Sequence, residues 1–283
     1  MIKTLLLSFL FTFSFSSEFI NKSNNTTAVI NDFLLFSKEP TTGLIVDNLL
    51  IDLMITSWGY KHWAWGEESL HFKSEKWFQE DSATGGSDKT GHFYMTYLLS
   101  RVLASRMQDR GWSLEDSSLA GAISGMFAMT LLEVGDGTSP YGFSKEDLLS
   151  DGLGALSAYL IRSNPKVDKF IDIRLEYFPT ASYLAGGDNT TDYSGMKHLV
   201  AFQFKGFEQF QSHPLRFVEV QVGYYARGYR TFDVDIAKSQ QAYIGIGINL
   251  SELANESGIN LLKNLFEFYQ PGSTYLETNL WQR

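Results

Sequence analysis

Residues 144–177 read SKEDLLSDGLGALSAYLIRSNPKVDKFIDIRLEY. Ser144 and Asp147 form an S-x-x-D capping pattern, so a helix is expected from Ser144 to about Arg162. Leu148, Leu149, Leu153, Leu156 and Tyr159 share one face of it, and Asp151, Gly154, Ala155 and Ala158 share the other flank. A flank of small residues suits the close approach of a second helix. Asn164-Pro165 ends the helix, because the residue before proline is pushed out of the helical region. The period then changes to two: Ile171, Ile173, Leu175 and Tyr177 alternate with Asp172, Arg174 and Glu176. A helix that gives way to an alternating strand within one short stretch marks an α+β chain.

Both halves of this pattern extend outward. Upstream, helices are expected from about Asp88 to Met107, with Ser87 placed to cap the first turn, and from about Glu115 to Glu133. The second holds 16 uncharged residues between Asp116 and Glu133 and a Gly121-x-x-x-Gly125 spacing that admits a close neighbour. That run is shorter than the ~20 residues of a membrane span. Gly43 to Tyr60 is a further candidate helix, and Leu261 to Tyr269 a closing one. Downstream, Val200-x-Phe202-x-Phe204, Val218 to Tyr224 and Ile244 to Ile248 repeat the alternation. Four strands, each apolar on one face, predict an antiparallel sheet packed on helices, with a partial outer-membrane barrel as the rival arrangement. The chain divides into 1–17, 18–42, a helical module over 43–165 and a strand-rich region over 166–283.

Met1 to Ser17 has one charge, Lys3, then an apolar run and small serines, the layout of an export signal. Glu18 to Thr42 reads as a loose polar leader. The 283 residues include no Cys, which excludes disulfide scaffolds, zinc–thiolate sites and thiol enzymes, and leaves no thiol to lipidate. A formal charge of -9 argues against nucleic acid as a partner. Export and the absence of Cys together fit the periplasm or outer membrane of a Gram-negative bacterium, with envelope lipid or glycan as the expected contacts.

Polar chemistry concentrates in one set: Asp88-Lys89-x-x-His92, Glu133-x-x-Asp136 and Asp147-x-x-x-Asp151. Glu133 ends an apolar helix, where the dipole disfavours an acid, and Asp151 lies inside a helix. If the three helices pack together, Lys89 and His92 supply two cations against Asp88, Glu133, Asp136, Asp147 and Asp151. Buried acids need compensation. A structural ion-pair network supplies it. So does a divalent metal ion held by Asp88, His92, Glu133, Asp136, Asp147 and Asp151. In a catalytic version Lys89, His92, Glu133, Asp136 and Asp151 carry the acid–base and charge-stabilising roles. No G-x-S-x-G, H-E-x-x-H or P-loop names a reaction class.

These residues carry a resemblance. The stretch from about Trp58 to Ile161 resembles the YfiM-type family of predicted periplasmic lipoproteins, a family without an assigned function. The matching pieces are Trp63-x-Trp65-Gly66, Glu75-x-Trp77-Phe78, Gly85-Gly86-x-Asp88-Lys89-x-x-His92-Phe93, Glu133-x-x-Asp136-Gly137 and Gly142-Phe143-Ser144-x-x-Asp147. The order is also similar to VanZ-like membrane proteins, with Asp151 where those carry Asn. The resemblance implies an envelope location and this choice of residues, and no reaction. Three roles stand open: a structural or scaffolding part held by the polar cluster; a metal-assisted hydrolase or transferase acting on an envelope lipid or glycan; and a small-ligand or lipid-binding module with the aromatics from Trp58 to Phe78 lining a groove.

Overall fold

The computed structural model describes residues 39–186, 189–231, 233 and 235–283. The export-signal reading of Met1–Ser17, and all but the end of the polar leader, lie outside them. Four long helices come first: α1 (Pro40–His62), α2 (Ser87–Asp109), α3 (Leu114–Asp136) and α4 (Lys145–Arg162). Pro40 to Thr42, read as leader, belong to α1, because proline is already set for the first helical turn. The sheet follows as β1 (Ile171–Tyr177), β2 (Met196–Gln203), β3 (Val218–Arg227), β4 (Ser239–Ile248) and β5 (Tyr275–Gln282), with α5 (Leu250–Glu256) and α6 (Asn260–Phe266) between β4 and β5. All pairings are antiparallel, in the order β1-β2-β3-β4-β5. The sheet is open and does not close into a barrel. β5 escaped the sequence reading because it is an edge strand with mostly exposed side chains, and neither face imposes apolar alternation.

α2 is the axis of the helical module, packed against both α3 and α4 and against the sheet. Tyr94, Tyr97 and Leu98 of α2 meet Ala158 and Ile161 of α4, Ile173 of β1 and Phe268 in one core. The glycines set its spacing. A Cβ on Gly121 would meet the Ala104 Cβ at 2.7 Å and its backbone nitrogen at 2.8 Å, and one on Gly154 would come within 3.0 Å of Thr96. Only helices in near-backbone contact leave so little room, as the small flanks of α3 and α4 predict. Ser144 caps α4 by accepting from the Asp147 amide at 3.2 Å. Ser87 does not cap α2. The cap is Gly86 in a left-handed conformation (φ 88°), and the Ser87 hydroxyl instead accepts from the Ala226 amide of β3 at 3.2 Å.

The alternation along the strands is correct, but much of it faces the other way. Arg174, Glu219, Gln203 and Gln221, on the polar face, are fully buried. They bond mainly to one another: Arg174 donates to Glu219 at 2.7 Å, to Gln270 at 2.8 Å and to Asp172 at 2.6 Å, while Arg174 Nε, Glu219 Oε2 and Gln221 Oε1 have no hydrogen-bond partner among the described residues. On the apolar face Ile173 and Val200 pack under α2, whereas Ile246 is 63% and Ile248 52% exposed. The helices show the same inversion. On α3, Ser117, Ser118, Gly121, Ser124 and Gly125 are buried while Ile123 is 62% exposed.

Gly121→Ala is therefore expected to destabilise by about 1–3 kcal/mol, as overpacking does. Gly152→Ala, at a helical position with nothing within 4 Å, should stabilise by roughly 0.5–1 kcal/mol. Urea unfolding of the two variants beside the wild type checks the pair.

Candidate functional site

The first turn of α2 carries Asp88 and Lys89 into the junction where the ends of α3 and α4 meet. Lys89 is 2% exposed, and its Nζ donates to Glu75 and Asp88 at 2.8 Å and lies 2.7 Å from Asp147 Oδ1. One ammonium thus ties α2 to α4 and to the loop that precedes it. One turn on, His92 Nδ1 lies 3.2 Å from Asp151 Oδ1 and 3.5 Å from Glu133 Oε1, while Nε2 is 3.8 Å from Asp88. Thr96 donates to the same Asp151 oxygen at 2.8 Å. The i, i+4 spacing of Asp88 and His92 and of Asp147 and Asp151 puts each pair on one helix face, and the close helix packing presses those faces together.

Glu133 shows how an acid is tolerated at the C-terminus of a helix. Its Oε2 accepts from the Ser144 amide at 3.1 Å, so the start of α4 compensates the end of α3. Burial pushes its carboxyl up to about 9, against the pull of His92, with Asp147 adding to the rise. Burial and the Asp88 charge push Glu75 up to about 8. Both hold their protons at neutral pH, so part of the acid surplus counted in the sequence is not a surplus of charge. Burial, with Asp88 adding, lifts Asp147 to about 6. Burial opposes the charge on Asp88, but Lys89 and His92 overturn it and hold the carboxyl well below the usual range. His92 is likewise held well above its ordinary range, as Asp147 and Asp151 outweigh burial.

The structure brings together Asp88, Lys89, His92, Glu133, Asp147 and Asp151. Two sets, Asp88 with His92 and Asp147, and His92 with Glu133 and Asp151, each offer potential ligand atoms within 4.8 Å of one another. Asp136 stands apart, accepting from Trp65 Nε1 at 2.7 Å. Trp65 in turn fills the space beside Gly59 and Gly135, where a Cβ would collide with its ring. Phe78 likewise packs on Gly86 and edge-on to Tyr224. Trp65 thus fills a helix contact, and Phe78 packs between the start of α2 and β3.

Glu75 and Tyr193 were not legible as site members. Tyr193 donates to Asp88 Oδ1 from a turn just before β2. Glu75 had two signals, an acid set in an aromatic stretch and its place in the Glu75-x-Trp77-Phe78 piece of the resemblance; Tyr193 had none. Also missed was the Arg174 network, since an alternating strand reads as having a solvated polar face. A cavity of about 430 Å³ opens near Glu176, Lys197, Tyr269 and Tyr275, away from the Lys89–His92 network.

The pH dependence has a definite sign. Glu133 and Glu75 have folded values above their ordinary 4.5, so an unfolded chain releases these protons first. Their contribution is full below pH 4.5 and is lost as the pH rises through about 8 for Glu75 and about 9 for Glu133. His92 acts the same way above 6.5, and Asp88 acts oppositely below 3.8. The melting temperature is expected to fall from pH 5 to pH 9, and Glu133→Gln, which keeps an acceptor for Ser144, should flatten that fall; thermal scans across the range read both.

No curated protein and no solved structure matches the chain. The similarity to VanZ-like proteins finds no support in the comparisons, and the aromatic Trp63-x-Trp65 piece lies upstream of the matched segment. Residues 74–163, about a third of the chain, match the family model described as predicted periplasmic lipoprotein (DUF2279), in line with the resemblance read from Glu75 through Asp147, and the match supports an exported, periplasmic protein.

Proposed function

We propose that the protein is a structural component of the bacterial cell envelope, in which the Lys89–His92 network clamps three helices into one rigid module. The observation that supports this reading is the enclosure of the network. Its ammonium, imidazole and carboxyl atoms make contacts of 2.7–3.8 Å, and Lys89, Glu133, Asp147 and Asp151 are all buried. An acid–base site must offer its groups to a substrate. Here Lys89 and the carboxyl groups of Glu133, Asp147 and Asp151 are buried, and the His92 side chain keeps only 12% exposure.

One observation favours a second reading. Asp151 Oδ2 is buried and has no hydrogen-bond partner among the described residues, beside a His and a Glu whose ligand atoms converge. A divalent cation there would displace the Glu133 proton, because ligation requires the carboxylate. It would supply a metal-bound water for a hydrolase or transferase acting on an envelope lipid or glycan.

Metal analysis of the purified protein beside Glu133→Gln separates the two. The structural reading expects far less than one equivalent of metal in both. A stoichiometric divalent cation in the wild type that is lost in the variant would overturn it. Lys89→Met strands three carboxyl groups and is expected to cost about 3–5 kcal/mol in urea unfolding, the usual penalty for removing one partner of a buried pair.

A further inference from the structure

The outward side of the helical module carries a feature that the ion network does not explain. α3 and α4 enclose a groove of about 450 Å³, lined by Leu119, Ile123, Met126, Phe127, Leu156 and Tyr159 among others. The apolar surface continues along α4 through Leu149, Leu153 and Leu160, each about half exposed. Charges bound this surface at its ends and are absent between them. On α3 there is none from Asp116 to Glu133, and on α4 the only one between Asp147 and Arg162 is Asp151, which is buried. Of the groove residues, Thr130 and Tyr159 alone carry a side-chain hydroxyl.

Such a band is poorly suited to another protein in water. Protein interfaces carry roughly one hydrogen bond per 100–200 Å². Hydrocarbon asks for nothing of the kind. The uncharged stretch of α3 holds 16 residues, which at ~1.5 Å per residue is about 24 Å. That is less than the ~30 Å of a hydrocarbon core, although α3 over its full length is long and apolar enough to cross a membrane. Its other sides are committed to α2, through Gly121 and Gly125, and to α1, where Asn48 donates to Ser124. One face in lipid and one on the protein describes a monotopic seat.

We infer that the α3–α4 face docks onto a phospholipid bilayer, inserting Ile123, Phe127 and Leu156 among the acyl chains of one leaflet. This goes beyond the structural role of the ion network and does not depend on it. The band is uncharged and the chain is acidic overall, so the attraction is apolar and needs no anionic lipid.

Vesicle flotation of the full chain tests this. With phosphatidylcholine vesicles the wild type should float at both low and high salt. A variant combining Ile123→Glu and Leu156→Glu should lose at least tenfold in the floated fraction. Both positions are exposed, so its circular dichroism and melting temperature should match the wild type; Phe127→Glu alone serves as a second variant should the pair fail that control. Wild type that stays unfloated would overturn the inference, as would variants that float like it. So would a stable wild-type dimer that the same substitutions split into monomers, since the occupant would then be a second copy.

Discussion

The helical module depends on the burial of Lys89. A lone ammonium taken out of water is costly, and the chain meets that cost by bringing Asp88, Glu75 and Asp147 to within 2.8 Å of its Nζ. Those partners come from α2 itself, from the loop before it and from the first turn of α4, so satisfying one charge fixes three segments. Packing must then be close enough for the contacts to form. That requirement explains Gly121, Gly125 and Gly154, whose missing side chains let α3 and α4 touch the backbone of α2. His92 extends the arrangement one turn deeper, and Glu133 completes it by exchanging the unfavourable end of its own helix for the favourable start of the next.

The same economy recurs in the sheet. Arg174 is enclosed with Asp172, Glu219 and Gln270, on the strand face that would ordinarily meet water. Helices and sheet therefore share one organisation: polar groups inside, matched to one another, and large apolar side chains on much of the outside. Polar matching inside a fold is directional, unlike hydrophobic burial. The match of residues 74–163 to a periplasmic lipoprotein family supports an exported, periplasmic protein.

Much of this was legible in residues 144–177 and their surroundings. The helix and strand periods, the Ser144 cap, the stop at Asn164-Pro165 and the close-packing flanks are local properties, written at fixed spacing along the chain. So was the convergence of Asp88, Lys89, His92, Glu133, Asp147 and Asp151, because an acid inside a helix and another at its C-terminus both demand compensation from elsewhere, although Asp136, expected with them, pairs with Trp65 instead. Glu75 and Tyr193 were not legible, because each reaches the cluster from a loop or turn whose path only the folded chain sets. Ser87 looked like a cap, yet β3 came close enough to claim its hydroxyl.

The sequence by itself determined periodicity, element order and the need to compensate buried acids, since these follow from backbone geometry and desolvation. It could not determine which face of each element turns inward. Alternation with a period of two, or of three to four, distinguishes two faces and labels neither of them inside. The choice was made by the tertiary structure, where Lys89, His92 and Arg174 find partners only if the polar sides converge, leaving Ile123, Leu153 and Ile246 to face out.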